Sequence, residues 1–273
     1  MKCCLPALVL ALAFTPGISG GQVLVDSSHY SDLFESDGRT VTVNPPNAVV
    51  LGFGGLQSGE FGSYWNGTAE GGASILLGAT ETGAQIALSD DKLQFNISGN
   101  PEAILDELGI NLAVALKWSA TATFDKTNHE LLLAPNTTYQ LVFDVEGSNG
   151  LLNSTLGIVP SFGVELLDGT GNAVDAAGGG TLVNILGLQL LGIVGSPPYS
   201  GRAVVNFQTG STVDPGAAGV RFTGSALAPA TVLDLGTNFA SVSNLQIAIV
   251  PEPSVLGLAG LGAVALFRRR RAA

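Results

Sequence analysis

Alternating hydrophobic and polar residues, or short apolar runs between turn residues, recur along the middle of the chain. The clearest case is Tyr139–Val145, where every second residue is large and apolar, whereas Gln140 and Asp144 lie on the opposite face. A period of two residues predicts a β-strand with one face against the core. The predicted strands are Thr40–Val43, Ala48–Phe53, Ser74–Leu77, Ala84–Leu88, Lys92–Ile97, Leu112–Phe124, Glu130–Leu133, Thr138–Val145, Gly163–Leu167, Thr181–Val194, Gly201–Gln208, Val220–Ser225, Thr231–Leu235 and Ala240–Ile249.

One segment of this region has the features of a helix instead. Asn100 is a suitable N-cap, Pro101 suits the first helical position, and Gly109 suits the position just past the end. Apolar residues at 104, 105 and 108 form a stripe along one side. About a dozen strands with one short helix over residues 101–108 predict an all-β fold, a single jelly-roll-like β-sandwich.

Composition supports this fold class and argues against one kind of partner. Only 12% of the residues are charged and 37 of the 273 are glycine, which favours strands joined by tight turns over a helix-rich enzyme. Residues 22–249 contain six basic and 21 acidic side chains, which is a net charge of −15. Such a surface repels a phosphate backbone, so we expect no nucleic-acid partner.

Residues 1–21 have the parts of a secretory signal peptide. A lysine precedes the apolar stretch 5–14, and the small residues Ser19 and Gly21 stand before a cleavage site at Gln22. We therefore expect an N-terminal signal helix that is removed on export. The only two cysteines, at positions 3 and 4, lie within this segment, so the exported protein is expected to contain no disulfide.

The C-terminal end has three parts in order. They are the triplet Pro251, Glu252 and Pro253, the apolar run Val255–Phe267, and the cluster of Arg268, Arg269, Arg270 and Arg271. As a helix the 13-residue run spans about 20 Å, which is short for a hydrocarbon core of about 30 Å. The arginines resist translocation, so they form a cytoplasmic stop while the rest of the protein is outside. The prolines keep the preceding segment extended.

These three parts together resemble the PEP-CTERM protein-sorting signal of Gram-negative bacteria, over residues 250–273. The resemblance implies transient insertion of a C-terminal hydrophobic helix in the inner membrane. It also implies processing by exosortase, a membrane-embedded transpeptidase-like enzyme, and a final location at the cell surface or outside the cell. Proteins with this signal often accompany exopolysaccharide production and biofilm formation.

The chain is accordingly divided into a signal peptide at 1–21, a β-sandwich ectodomain at 22–249 and the sorting signal at 250–273. Within the ectodomain, the strand and turn pattern of residues 133–169 is similar to jelly-roll modules of the galactose-binding-like type. This second resemblance implies the same fold class.

Tyr64 and Trp65 are candidate glycan-stacking residues, because they lie in a glycine-rich segment between Gly62 and Gly67. Exposed aromatic rings can stack on the apolar face of a sugar. The alternative interpretation is that these rings fold back onto the core, as we expect for Trp118.

Recognisable catalytic and metal-binding motifs are missing from the sequence. The two histidines, His29 and His129, stand in polar turns, and no Gly-x-Ser-x-Gly or HExxH pattern occurs. We therefore predict no catalytic residues, no metal site and no cofactor. The segments Asp168–Asp175 and Asp90–Asp91 leave calcium open, although turns are the simpler interpretation of both.

The sequence thus predicts an exported, non-enzymatic protein of the cell surface or extracellular matrix, processed by an exosortase-type enzyme. A carbohydrate-binding module that contacts an extracellular polysaccharide is the first alternative. A secreted hydrolase without a recognisable motif is the second.

Overall fold

A computed structural model describes residues 22–43, 51–75, 80–100, 113–147, 161–175, 183–184, 199–229 and 238–251. These residues form fifteen strands in two antiparallel sheets, and no helix occurs among them. The predicted signal helix at 1–21, the helix at 101–108 and the C-terminal hydrophobic helix lie outside the described residues. Within the described part, no helix is long and apolar enough to cross a membrane.

The larger sheet has nine strands and runs in the order β13-β10-β15-β8-β7-β6-β3, with β1 paired to β15 and β2 paired to β7. Its strands are β1 (Val23–Val25), β2 (Thr40–Thr42), β3 (Leu51–Phe53), β6 (Gly72–Ile75), β7 (Thr80–Ser89), β8 (Lys92–Asn100), β10 (Thr138–Gly147), β13 (Tyr199–Gln208) and β15 (Asn238–Ile249).

The smaller sheet has six strands in the order β12-β11-β14-β9-β5-β4. Its strands are β4 (Leu56–Phe61), β5 (Trp65–Glu70), β9 (Ala113–Thr123), β11 (Ser161–Leu167), β12 (Val183–Asn184) and β14 (Gly219–Pro229). From β8 onward most successive strands alternate between the two sheets, which is the kind of connection found in jelly-roll-like sandwiches.

Aromatic side chains from the two sheets meet in one hydrophobic core. The ring of Phe143 on β10 lies 5.1 Å from that of Phe222 on β14, edge to face. Phe95 on β8 and Phe162 on β11 make a similar pair at 5.5 Å. All four rings are fully buried, and such pairs contribute about 0.5–1.5 kcal/mol each beyond the area they bury. The predicted all-β sandwich is confirmed.

The alternating face predicted for β10 is also confirmed. Tyr139, Leu141, Phe143 and Val145 are all buried, and β10 lies in the interior of its sheet between β13 and β15. The predicted strand Glu130–Leu133 is wrong, because this segment is a loop.

Strand β5 was not predicted, because its inward positions hold small residues. The structure buries Trp65, Gly67 and Ala69 in alternation with exposed neighbours. A Cβ at Gly67 would lie 2.7 Å from Cε1 of Phe61, so only glycine fits beneath that ring. The dipeptide Asn66-Gly67, which has the composition of a turn, therefore lies within a strand.

Candidate functional site

The two ends of the ectodomain lie side by side on neighbouring strands. The backbone N–H of Ile249 on β15 donates to the carbonyl oxygen of Gln22 at 3.0 Å, and Val23 on β1 is paired with Ala248. On the other side of β15, the N–H of Val250 donates to the carbonyl oxygen of Thr138 at 2.8 Å. The predicted start of the exported chain and the start of the sorting signal are thus adjacent.

The predicted sorting signal, residues 250–273, begins at Val250, the residue that makes this hydrogen bond. Pro251 is exposed and has no backbone N–H, so it cannot continue the ladder of β15. The other predicted residues of the signal, Glu252, Pro253 and the cytoplasmic stop Arg268, Arg269, Arg270 and Arg271, lie outside the described residues.

The prediction that Trp65 stacks on a glycan is wrong. Its side chain is 1% exposed and contacts the aromatic rings of Phe34, Phe61 and Phe222. Its indole Nε1–H donates to the carbonyl oxygen of Leu33 at 2.6 Å. Because Trp65 begins β5 on an inward-facing position, the alternative interpretation holds, and the ring belongs to the core. Trp118 is likewise buried, as expected.

Tyr64 is half-buried and belongs to a polar cluster with Asp32 and Lys126. Its hydroxyl donates to Oδ1 of Asp32 at 3.0 Å, and Nζ of Lys126 lies 3.0 Å from the same oxygen. The ammonium also lies 5.8 Å from the ring centres of Tyr64 and Tyr30, within range of a cation–π interaction. The cluster thus fixes the orientation of the Tyr64 ring.

The ionisation of this cluster follows from its contacts. Burial opposes ionisation of Asp32, but hydrogen bonds from Lys126, from the backbone and from Tyr64 outweigh it, so the pKa of Asp32 is lowered. Burial raises the pKa of the Tyr64 hydroxyl. The hydrogen bonds with Tyr64 and Asp32 raise the pKa of Lys126. Near neutral pH the cluster therefore contains a carboxylate, an ammonium and a neutral phenol.

A groove of about 680 Å³ lies beside Tyr64. Its polar lining includes Arg39, Glu60, Asn66 and Asp125, which come from three separate segments of the chain. Nε of Arg39 is paired with Oδ2 of Asp37 at 2.5 Å. Amide, carboxylate and guanidinium groups next to one aromatic ring can hold a hydroxyl-rich ligand. None of these four polar residues belongs to a recognisable sequence motif, because each is unremarkable in its own segment.

The two histidines of the chain pack against each other. The rings of His29 and His129 are 4.9 Å apart at 72°. Nδ1 of His29 lies 2.8 Å from Oδ1 of Asp26 and 3.3 Å from Oγ of Ser28. A catalytic triad needs the serine and the aspartate on opposite ring nitrogens, whereas here both contact the same nitrogen.

The two acidic segments considered for calcium are hydrogen-bonded turns. Oδ1 of Asp168 accepts the backbone N–H groups of Thr170 at 3.0 Å and of Asn172 at 2.9 Å. Asp90 and Asp91 have φ values of 53° and 56° and join β7 to β8 as a two-residue hairpin. Within the described ranges, no group of three His, Cys, Asp or Glu side chains could hold a metal ion.

All six basic residues of the ectodomain make ion pairs with carboxylates. The pairs are Arg39–Asp37, Lys92–Glu146, Lys117–Glu70, Lys126–Asp32, Arg202–Asp144 and Arg221–Glu165. The net charge of −15 is therefore carried by the carboxylates that remain. This distribution disfavours an anionic polymer as a ligand.

Comparison with solved structures returns cyclases from Fischerella sp. TAU. A Stig cyclase from this source has 16% identity and a TM-score of 0.32, over 85% of this chain and 98% of the cyclase chain. A second cyclase, in complex with 4-(1H-indol-3-yl)butan-2-one, has 15% identity and a TM-score of 0.31, over 80% and 87% of the two chains. Likenesses at this level carry no information about activity.

A search of curated proteins found no match for the chain. The family model of the PEP-CTERM protein-sorting motif matches residues 250–271. The matched segment begins at Val250, whose N–H donates to the carbonyl oxygen of Thr138 on β10. The match indicates an exported protein that is sorted by exosortase. The chain therefore carries a PEP-CTERM protein-sorting motif directly after β15.

Proposed function

We propose that this chain is a non-enzymatic protein of the cell surface or extracellular matrix, and that it contributes to an exopolysaccharide-containing matrix or biofilm. The observation that carries the proposal is the PEP-CTERM motif at residues 250–271, which follows the β-sandwich without an intervening domain. In this proposal the tail directs the protein to its location, and the sandwich is the part that acts there.

The contacts of the histidines support a structural role for these side chains. His29 is held by Asp26 and its ring packs on His129, while the hydroxyl of Tyr30 donates to the carbonyl oxygen of His129. These contacts join the loop after β1 to the loop after β9. The two imidazole side chains, which belong to the residue type that most often acts as a general base, thus hold two loops together.

The distribution of charge limits which kind of polysaccharide can be the proposed matrix partner. Each lysine and arginine of the ectodomain has a side-chain nitrogen within 3.3 Å of a carboxylate oxygen. An anionic polysaccharide would have to break such pairs and approach a surface that is already negative. The partner that we propose is therefore an uncharged polysaccharide.

Tyr64 supports the second candidate function, a carbohydrate-binding module. Its ring is oriented by the Asp32–Lys126 pair and lies on the groove lined by Arg39, Asn66 and Asp125. With Trp65 in the core, the stacking surface of this candidate is one ring. Single-ring sites bind weakly, so a matrix role through many copies of the protein suits this groove better than tight capture of one glycan.

The main proposal is tested in an exosortase-containing Gram-negative host. The variant with Pro251, Glu252 and Pro253 all changed to Ala is compared with the unchanged protein by cell fractionation and intact-mass measurement. We expect the unchanged protein to reach the surface or medium without its C-terminal arginines, and the variant to stay in the membrane fraction. Surface delivery of the variant at an undiminished level would contradict sorting by this motif.

The two candidate functions are separated by co-sedimentation of the exported protein with uncharged and anionic polysaccharides. Loss of binding in Tyr64→Ala, with binding retained in Tyr64→Phe, would favour the carbohydrate-binding module at this groove. Retention in both variants would favour matrix association through another surface. Turnover on a panel of polysaccharides and esters would contradict the non-enzymatic proposal.

A further inference from the structure

We propose that a row of four hydroxyl groups on the outer face of the smaller sheet is a binding platform for a linear, uncharged polysaccharide. The hydroxyl row consists of Ser58 on β4, Thr68 on β5, Ser119 on β9 and Thr223 on β14. The inference rests on the proposed function, in which the matrix partner is an uncharged polysaccharide, and it names the surface that contacts this partner.

The register of the smaller sheet aligns the hydroxyl row. Ser58 is paired with Thr68, and Thr68 is paired with Ser119. Ser119 is paired with Thr223, and no register shift interrupts any of these strand pairs. Residues directly opposite each other on neighbouring strands have their side chains on the same face. Because neighbouring strands lie about 4.8 Å apart, the row extends about 14 Å across the sheet.

The hydroxyl row faces outward because the residues beside it in the chain face the core. Trp118 and Ala120, on either side of Ser119, are buried in the hydrophobic core. The alternation along β5 likewise puts Thr68 on the exposed face. The row is exposed on β4 and β5 and partly exposed on β9 and β14. A ligand on the outer face of the sheet can therefore contact all four side chains.

The four hydroxyl groups are free to bind a ligand. Within the part of the chain that the structure describes, none of them is hydrogen-bonded to another protein group. On the outer face of the larger sheet, by contrast, the hydroxyl of Thr42 accepts from Nε2 of Gln85 at 3.0 Å. A hydroxyl both donates and accepts, so it complements a sugar hydroxyl in either orientation. Sugar hydroxyls can thus replace the water on the row without loss of hydrogen bonds.

The charges on both sides of the hydroxyl row are paired. Nζ of Lys117 lies 3.3 Å from Oε2 of Glu70 on one side, and Nη1 of Arg221 lies 3.0 Å from Oε2 of Glu165 on the other. The row itself has no charged side chain, although the ectodomain is strongly acidic. An anionic chain would be repelled by the net charge, and a cationic chain would find no carboxylate in the row. The distribution of charge therefore favours an uncharged chain.

The hydroxyl row continues into the groove beside Tyr64. Asn66 precedes Thr68 by two residues on β5, and Glu60 follows Ser58 by two residues on β4. Both Asn66 and Glu60 line the groove. Successive residues on one face of a strand are about 7 Å apart. A polysaccharide on the hydroxyl row can therefore also reach the ring of Tyr64.

The test measures binding of the exported protein, purified from the exosortase-containing host, to polysaccharide from the extracellular matrix of that host. The probes are the neutral fraction, which passes through an anion-exchange column, and alginate as an anionic reference. The variant T68V/S119A removes the two central hydroxyls and keeps side chains of nearly the same shape.

The matched control is T138V/S243A, which makes the same two changes on the outer face of the larger sheet. Thr138 on β10 and Ser243 on β15 are partly exposed. Among the described residues their hydroxyls also have no hydrogen-bond partner. The control therefore loses the same groups at a surface to which we assign no ligand.

We expect the apparent Kd for the neutral fraction to rise at least about tenfold in T68V/S119A and to change less than about twofold in T138V/S243A. An affinity of T68V/S119A within about twofold of the unchanged protein would overturn the proposal. Equal losses in the two variants, or no binding of the neutral fraction by the unchanged protein, would overturn it as well.

A second pair of measurements applies even if T68V/S119A does not fold. The variant S58A/T223V removes the two outer hydroxyls, and we expect it to bind at least about threefold more weakly; unchanged affinity would overturn the proposal. For the unchanged protein, affinity should differ by less than about twofold between about 50 and 500 mM NaCl, because no ion pair forms with an uncharged chain. A tenfold fall with salt, or tighter binding of alginate, would show a charged ligand and overturn the proposal.

These outcomes are distinct from failure of the proposed function. The binding assay uses purified protein, so its result does not depend on sorting by the PEP-CTERM motif. Loss of binding in Tyr64→Ala with full binding in T68V/S119A would confine the site to the groove, and only the present inference would be wrong. If the unchanged protein binds neither probe, the proposed polysaccharide partner is wrong and the hydroxyl row fails with it.

Discussion

The indole Nε1–H of Trp65 donates to the carbonyl oxygen of Leu33 at 2.6 Å, across the interior of the protein. The bond joins the first residue of β5 to the loop between β1 and β2, which contributes Tyr30 and Leu33 to the core. Trp65, which the sequence suggests as a ligand-binding residue, thus connects two parts of the core.

Trp65→Phe should lower the free energy of unfolding by about 1–3 kcal/mol, because the carbonyl oxygen of Leu33 would be left buried without a donor. Trp65→Ala should cost about 3–5 kcal/mol through the cavity that it creates. Urea unfolding followed by far-UV circular dichroism measures both. Tyr64→Phe is the matched control and should cost about 1 kcal/mol or less, since its hydroxyl is only partly buried and Asp32 keeps Lys126 as a partner. Equal losses in the two Phe variants would contradict the burial of Trp65.

Asp26 should make stability depend on pH in the acid range. Hydrogen bonds from the Ser28 side chain, then from His29 and the backbone, outweigh burial and lower its pKa to about 2. Because the folded pKa lies below the unfolded value of 3.8, the contribution is complete above about pH 4 and is lost as the pH falls toward 2. We expect Asp26→Asn to lose about 1 kcal/mol at pH 5 relative to the unchanged protein, after allowance for solvent screening.

The measurement is the difference in unfolding free energy between the two proteins at pH 5 and at pH 2. The difference should shrink at the lower pH. Ser28→Ala should reproduce part of the effect, because it removes the largest of the stabilising hydrogen bonds. A difference that stays constant from pH 5 to pH 2 would show that Asp26 acts by packing alone.

Gly71→Ala should be among the most damaging single substitutions in the protein. Gly71 has φ +93° and lies between β5 and β6, and a Cβ there would be 1.8 Å from the carbonyl oxygen of Ala115. We expect a loss of more than about 3 kcal/mol, or failure to fold. Gly171→Ala is the control, because its φ is +84° but its Cβ would meet nothing within 4 Å. Thermal unfolding should show that Gly171→Ala lowers the free energy of unfolding by only about 1 kcal/mol.

The hairpin at Asp90–Asp91 should tolerate, and gain from, a glycine. Both residues have positive φ, and the second central position of such a turn favours glycine. Asp91→Gly should therefore raise the free energy of unfolding by about 0.5–1 kcal/mol. Asp91→Ala, which removes the same carboxylate but keeps a Cβ at positive φ, should not be stabilising. If both variants gain equally, charge rather than backbone strain determines the effect.

The success of the strand predictions depended on the size of the inward-facing residues. In β10 the buried positions hold Tyr139, Leu141 and Phe143, so the period of two is visible in the sequence. In β5 two of the buried positions hold Gly67 and Ala69, which carry almost no hydrophobic signal. Position 67 requires a glycine because the ring of Phe61 occupies the space where a Cβ would lie. A single sequence does not show which ring lies there.

The candidate groove was only partly predictable for a related reason. Tyr64 is recognisable in the sequence as an aromatic residue in a glycine-rich segment, but its orientation depends on Asp32 and Lys126. Lys126 is 94 residues from Asp32 in the chain, and only the pairing of distant strands brings them together. The same applies to His29 and His129, which are recognisable as the only histidines but not as a packed pair.

The sequence by itself determined the all-β class, the alternating face of β10 and the sorting motif at the C-terminus, because each depends on residues that are close together in the chain. The tertiary structure decided what depends on long-range contacts. It placed Trp65 in the core, brought Gln22 beside Ile249, and joined Val250 to Thr138 directly before the motif. Local patterns determine which segments become strands, whereas packing and register determine which of their ends and side chains meet.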